Sequence, residues 1–350
     1  MFKEFIKGNE AIAKAAALAG CTQYYGYPIT PSSEIIHAVA DYFPKFGGTF
    51  VQAESEVAAI NMAFGAAACG KRVMTASSSP GISLKQEGVS YLAGAELPCV
   101  IIDIMRAGPG LGNIWPEQGD YHQIVKGGGH GNYKTIVLAP NSPQEMCDFT
   151  ILAFELAEKY RGPVYVLSDA YTGQVMEPVI FPDEVKKEKR QDWAIYGDKE
   201  SSGNVVYSIQ MNTVEQEKVN LRLDKKYREI EKCEARYEEY LVDDAEMIVV
   251  SYGISSRIAH SAVDSLREEG FKVGMFTPKT LWPYPVNRLK QLSEKCRSFA
   301  VLELSNGQMV EDVRLTVEGK RPVDFYGRMG GAIPSQEEVI GVFKDFYNKY

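Results

Sequence analysis

"RVMTASSSPGISLKQEGVSYLAGAELPCVIIDIM", residues 72–105, carries the alternation that decides the fold. The opening piece, "RVMTASSS", is a short apolar run that ends in small hydroxyl residues. The closing piece, "PCVIIDIM", is rich in β-branched residues and is followed by Arg106. A helical pattern lies between them, near residues 82–95. Strands joined through helices need crossover connections, so the sheet is parallel and covered on both faces. The same rhythm extends outward. "CTQYYGYP", "TFVQAE", "KTIVLAP" and "PVYVLSD" read as further strands, with helices near 9–19, 31–43, 56–69 and 143–160. In the last helix Ser142 is placed to cap and Pro143 takes the first helical position.

The composition changes near residue 182. Residues 183–245 are dense in mixed charge. Within them Val219, Leu223, Tyr227, Ile230, Cys233, Tyr237 and Leu241 recur every three or four positions, a spacing that predicts one long amphipathic helix over 214–241. "EMIVVSYG" then opens a second α/β unit, with strands at "FKVGMFTP" and "SFAVLEL" and helices near 255–269, 285–295 and 335–348. The chain therefore divides into 1–182, a charged linker over 183–245, and 246–350.

The totals exclude several classes. The chain has 350 residues, with 45% hydrophobic and 24% charged, which fits two globular domains. No apolar run is long enough to predict a membrane span. A net charge of −8 disfavours nucleic acid as a partner. The six cysteines are scattered without a CxxC pair, so no disulfide framework, zinc site or iron–sulfur site is expected, and a reducing cytoplasm fits.

Two glycine motifs fail as nucleotide sites. "GAAACGKR" (65–72) has Arg72 where a phosphate loop needs Ser or Thr, and its glycines end a helix instead of opening one. "GPGLG" (108–112) lacks the final spaced glycine of a dinucleotide fingerprint. The four histidines are not spaced as metal ligands. His37, in mid-helix, is expected to pack, while His122 and His130 flank a glycine-rich loop.

What remains is a set of strand ends. In "YPITPSSE" Thr30 is expected to cap a helix beginning at Pro31, and a helix start is also a seat for a carboxylate. In "VQAESEVAAINMAFGAAACG" Glu54 and Glu56 follow a strand and open an alanine-rich helix whose small side chains admit a close neighbour. Arg106 ends a buried strand and needs an anion there, with Asp103 or Glu56 as in-chain alternatives to a substrate.

The pieces "YPITPSSE", "ESEVAAINMAFGAAACGKRVMTASSSPGISLKQE" and "MRAGPG" resemble the alpha subunit of the 2-oxoacid:ferredoxin oxidoreductases. The resemblance covers essentially the whole chain. It implies a pyrimidine-binding domain of the thiamine diphosphate fold, built on a parallel sheet, followed by a transketolase C-terminal-like α/β domain. "GPGLGNIWPEQGDYHQIVKGGGHGNYKTIVLAP" is most similar to the branched-chain members, which act on 3-methyl-2-oxobutanoate. Members that use 2-oxoglutarate usually carry "GPSTG" followed by "PT". Pyruvate and 2-oxoglutarate stay open as alternative substrates, as does a non-catalytic scaffold role.

By that resemblance Glu56 matches the glutamate on N1′ of the cofactor's aminopyrimidine. Thr30 and Arg106 match residues that hold the 2-oxoacid, and Pro28 lies against the cofactor. "QGDYH" and "YGDKE" both lack the second glycine of the GDG motif that binds magnesium and diphosphate. The resemblance thus implies half an active site. A beta-type partner would bring Mg2+ and the diphosphate site. Gamma and delta chains would bring the iron–sulfur clusters and the ferredoxin contact, with coenzyme A as acyl acceptor. The alanine-rich helix and the 214–241 helix are the expected contact surfaces.

Overall fold

The structure is a computed structural model that describes residues 2–350. Strand β1 (Phe2–Lys7) and helix α1 (Gly8–Leu18) come first. Strand–helix pairs follow: β2 (Gln23–Gly26) with α2 (Ser33–Lys45), β3 (Thr49–Gln52) with α3 (Glu56–Ala68), and β4 (Val73–Ser77) with α4 (Ser79–Gly94). Next are β5 (Cys99–Met105), β6 (Ile136–Leu138), α5 (Pro143–Tyr160), β7 (Pro163–Asp169), the short α6 (Ala170–Gln174) and β8 (Met176–Phe181). An irregular stretch leads to α7 (Thr213–Cys233) and β9 (Tyr237–Tyr240). The C-terminal part has β10 (Met247–Val250), α8 (Gly253–Glu268), β11 (Val273–Pro278), β12 (Thr280–Trp282) and α9 (Val286–Ser293). It ends with β13 (Ser298–Glu303), α10 (Met309–Val317), β14 (Val323–Gly327) and α11 (Gln336–Asn348).

The stretch 72–105 folds as its pattern requires. Every residue of β4 and of β5 is buried, and the two pair in parallel, Met74 with Val100 through Ser77 with Asp103. They stand at the centre of a seven-stranded sheet of order β12-β6-β7-β5-β4-β2-β3. The chain leaves β2 toward one edge, through α2 to β3, and leaves β4 toward the other, through α4 to β5. The C-terminal ends of β2 and β4 therefore flank a topological switch point, the position where open α/β sheets bind ligands.

The second sheet has five strands, ordered β14-β13-β10-β11-β9. The two sheets trade strands across the expected boundary at 245/246. β12, from the C-terminal part, pairs antiparallel with β6 of the first sheet, and β9, from the linker, pairs antiparallel with β11 of the second. A buried polar seam joins the halves. Gln118 donates to Tyr252 O at 2.8 Å and accepts from Ser255 Oγ and Leu304 N at 2.9 and 2.8 Å. Asp169 caps α6 through Tyr171 N and Thr172 N and also accepts from Ile254 N of α8.

Some expectations need correction. The amphipathic helix ends at Cys233, short of 241. Glu234 turns inward there to Lys159, Tyr160 and Arg236, and Tyr237 passes into β9. His37 is exposed on α2 and does not pack inside. Strands β1 and β8, which pair antiparallel, were absent from the sequence pattern. Gly70 has a φ of 73° just past α3, the left-handed position of a helix-ending glycine.

Candidate functional site

Four strand ends converge beside the switch point. After β3, Ser55 caps α3 by accepting from Ala58 N at 3.2 Å, so the next residue, Glu56, is fixed at the helix start. Glu56 is 6% exposed while Glu54 is open to solvent. Among the described residues no hydrogen-bond donor meets the Glu56 carboxylate. A buried carboxylate without a donor is costly, and an outside partner would relieve that cost.

Glycine makes room for that carboxylate. A Cβ on Gly81 would stand 2.6 Å from Glu56 Oε1 and 2.1 Å from Ser77 Oγ. Two turns further along the same face, a Cβ on Gly88 would stand 2.5 Å from Ile60 Cγ2. Glycines at these positions let α4 lie hard against α3, and Glu56 fills the gap at its N-terminal end. Gly81→Ala should force Glu56 and Ser77 to shift. An overpacked site of this kind costs about 1–3 kcal/mol. Thermal unfolding should show that loss, and turnover of the assembled enzyme should fall by more than the stability change explains.

Between the glycines, on the same face, lies Lys85, which is fully buried and donates to Thr75 Oγ1 at 2.5 Å. Burial pulls its ammonium down to about 8, and the charge of Glu56 opposes that fall. Sequence reasoning missed Lys85 because a lysine in a helix is ordinarily solvated. Its signal was its position four residues after Gly81, on the α4 face that packs against Glu56.

Arg106, directly after β5, ties the loops together. Its Nη1 donates to Thr30 O at 2.8 Å and its Nη2 to Leu111 O at 3.0 Å. Its main-chain N–H donates to Ser79 Oγ at 3.0 Å. No carboxylate of the described residues pairs with it, so the expected in-chain partners Asp103 and Glu56 are not its anion. The guanidinium has more N–H donors than these carbonyls use, and Nε is buried without a partner.

Thr30 departs from expectation in one respect. α2 starts at Ser33 with Ser32 as its cap residue, and Ser32 Oγ donates to Ile29 O at 2.9 Å. The turn that Ser32 closes holds Thr30 outside the helix, before a cis Thr30–Pro31 bond. Thr30 thus contributes its carbonyl to Arg106 and leaves its hydroxyl in an exposed residue. Pro28 is exposed in the same loop. Ser79, Pro80 and Gly81 form the first turn of α4. The hydroxyls of Ser77 and Ser78 beside them are buried and unpaired.

A cleft of about 660 Å³ opens between the two sheets' domains. Ser79, Arg106, Glu117 and Asp120 form one wall, and Ser305 and Gly330 stand on the other. Glu117 spans the mouth, accepting from Gly108 N at 2.7 Å and from Gly330 N at 2.8 Å. Glu56 lies behind this wall at Gly81, in the first turn of α4. The histidines stay outside this arrangement: His122 faces Glu311 at 3.2 Å, and His130 is exposed. A buried acid at a helix start, unpaired serine hydroxyls and an arginine that no carboxylate of the described residues pairs, on a cleft, fit the aminopyrimidine half of a thiamine diphosphate site.

Comparison with known proteins gives the family. Residues 14–241 match the family described as pyruvate flavodoxin/ferredoxin oxidoreductase, thiamine diphosphate-binding, and residues 245–339 match pyruvate:ferredoxin oxidoreductase core domain II. The chain belongs to the 2-oxoacid:ferredoxin oxidoreductases, as an alpha-type subunit. It is 58% identical to the ketoisovalerate oxidoreductase subunit VorB of Methanothermobacter thermautotrophicus, over 97% of each chain. It is 36% identical to the 2-oxoglutarate synthase subunit KorA of Methanothermobacter marburgensis, over 96% of this chain and 97% of that one. Among solved structures it resembles the 2-oxoglutarate:ferredoxin oxidoreductase from Magnetococcus marinus with 2-oxoglutarate, coenzyme A and succinyl-CoA bound, at TM-score 0.90 and 27% identity. That match covers 99% of this chain and 65% of the other. A split-gene transketolase shares the fold, at TM-score 0.63 and 15% identity, over 99% of both chains.

Proposed function

We propose that this chain supplies the pyrimidine side of a shared active site that oxidatively decarboxylates 3-methyl-2-oxobutanoate and related branched-chain 2-oxoacids to acyl-CoA and CO2, reducing ferredoxin. The observation that carries the reading is Glu56, a buried carboxylate with no donor among the described residues, close through Gly81 and Ser79 to Arg106, which no carboxylate of the described residues pairs.

Thiamine diphosphate, when bound, supplies the nucleophilic carbon and the electron sink for decarboxylation. The residues of this chain act around it. Glu56 holds or yields a proton at the ring nitrogen N1′. Arg106 pairs with the 2-oxoacid carboxylate through the donors that Thr30 O and Leu111 O leave free. Thr30, exposed beside it, donates to the substrate carbonyl oxygen, and Pro28 lines the cofactor's edge. Residues 1–182 carry these groups, 183–245 link, and 246–350 close the cleft.

The missing half comes from partners. We assign Mg2+ and the diphosphate to a beta-type subunit, and the clusters and ferredoxin contact to gamma and delta chains, all in the cytoplasm. Among the described residues, no helix is long and apolar enough to cross a membrane. Exposed Leu111, Ile114 and Trp115 on the loop after β5 and Val57 and Met62 on α3 support a seat for the beta-type chain. The branched-chain preference is supported by the 58% identity to a ketoisovalerate oxidoreductase subunit.

The test is a substrate panel on the complex assembled with its partner subunits, read by viologen reduction in the presence of coenzyme A. The highest kcat/KM is expected with 3-methyl-2-oxobutanoate. A best rate with 2-oxoglutarate or pyruvate would overturn the substrate assignment, and turnover by this chain alone would overturn the shared site.

A further inference from the structure

Asp103 and Asp120 are buried acids that the reading above leaves unused. Asp103 lies in β5 opposite Ser77 and has no exposed surface. Asp120 is 8% exposed and lines the cleft. Its Oδ2 accepts from the Ser79 hydroxyl and its Oδ1 from Gln123 Nε2 at 2.6 Å. Neither Asp103 oxygen has a donor in good hydrogen-bonding geometry, and the groups set against it are the Asp120 carboxyl and the Ser79 main-chain N–H. Two carboxyl groups bond each other only when one carries a proton. Ser79 Oγ in turn accepts the main-chain N–H of Arg106 at 3.0 Å.

We propose that Asp103 and Asp120 share one proton as a carboxyl–carboxylate pair and, through Ser79, act as positioning residues that set Arg106 in the cleft wall. The functional half of this inference rests on the reading of Arg106 as the partner of the substrate carboxylate. With the proton in place the wall carries one negative charge from the pair. Without it, a second negative charge faces the incoming 2-oxoacid, and repulsion pushes Asp120 away from Asp103 and loosens the Ser79 bridge.

The surroundings favour retention. Burial first, and then the charge and hydrogen bond of Asp120, hold Asp103 well above the usual carboxylate range, against the Ser79 main-chain N–H, which pulls it down. Burial also raises Asp120, against the hydrogen bonds from Ser79, Asp103 and Gln123. The other ionisable groups that face the pair are Glu117, Tyr165 of β7 and Tyr252 before α8, and none is a cation. The nearby Arg106 guanidinium is turned to the carbonyls of Thr30 and Leu111.

The sign of the pH effect follows. The folded protein keeps a proton that the unfolded chain releases in the ordinary carboxylate range. This contribution to stability is full below that range and is lost as pH rises toward the raised pKa of the pair.

The experiment uses the assembled complex with Asp103→Asn and Asp103→Ala, measuring kcat and KM for 3-methyl-2-oxobutanoate from mildly acidic to alkaline pH, and melting temperature over the same range without substrate. In the parent enzyme KM should rise at the alkaline end with kcat little changed. Asp103→Asn, whose amide is a permanent donor to Asp120, should hold KM flat and remove the fall in melting temperature with pH. Asp103→Ala should raise KM about tenfold throughout, the loss of one hydrogen bond at a charged group. The proposal falls if Asp103→Asn keeps the alkaline rise in KM, or if Asp103→Ala matches Asp103→Asn. Should Arg106→Lys leave KM unchanged while the melting slopes still differ, the substrate reading of Arg106 fails and the shared proton stands; identical slopes remove the shared proton. If Asp103→Asn does not assemble, Asp120→Asn replaces it. The infrared difference spectrum of that variant against the parent should then show loss of a protonated-carboxyl band at neutral pH, and absence of that band in the parent refutes the pair.

Discussion

Glu56→Gln should lower kcat of the assembled complex by about 10²–10⁴-fold, the usual contribution of a positioned proton-transfer group. The amide has nearly the same shape, so the fit against Gly81 and Ser77 is kept. It cannot take or return a proton. Assembly with partner subunits and the melting temperature should change little, since no donor among the described residues depends on the carboxylate. Removing the buried charge also ends its support for the Lys85 ammonium, which should release its proton below about 8. The measurements are steady-state turnover, size-exclusion chromatography and thermal unfolding on one preparation. Near-normal turnover would return the chain to the scaffold reading and remove Glu56 from the chemistry.

Arg106→Lys is expected to act on a different parameter. The lysine keeps the charge but loses the planar fork, and it cannot hold Thr30 O and Leu111 O while pairing with a carboxylate. A charge-assisted hydrogen bond contributes about 1.5–3 kcal/mol, so kcat/KM for the 2-oxoacid should fall about 10–100-fold. Most of the loss should appear in KM for the 2-oxoacid, with KM for coenzyme A unchanged. Equal losses for both substrates would instead mark a general collapse of the loops after β2 and β5.

The central strands were readable from sequence because they are buried on both faces and so form unbroken apolar runs, as "PCVIIDIM" does. Edge strands were not. β1, "FKEFIK", interleaves charge with apolar residues and becomes a strand only by pairing with β8. The helix read as 214–241 ran past its end because Tyr237 and Leu241 happen to fall on the helical spacing, while tertiary contacts of Glu234 decide where the helix stops. The site shows the same division. Glu56 was singled out by the family resemblance, since the residue pattern alone put both Glu54 and Glu56 after the strand, and burial then separates the two. Thr30 was read as the cap because it precedes a proline, although Ser32 stands two positions on and closes the turn. The Asp103–Asp120 pair left no local trace. Its members come from a strand and a distant loop, and only the fold brings them together.

The exchange of β9 and β12 between sheets bears on how this polypeptide is made and how its gene can be divided. A nascent chain that has left the ribosome as far as β9 has every strand of the first sheet except β12, so the edge of β6 stays open until the following unit is synthesised. A gene cut at 245/246 would freeze that unfinished state into one product and leave β11 as an open edge in the other. Separate expression of the halves therefore asks each fragment to tolerate a raw sheet edge, whereas a fusion that respects the exchange would have to carry both strands together.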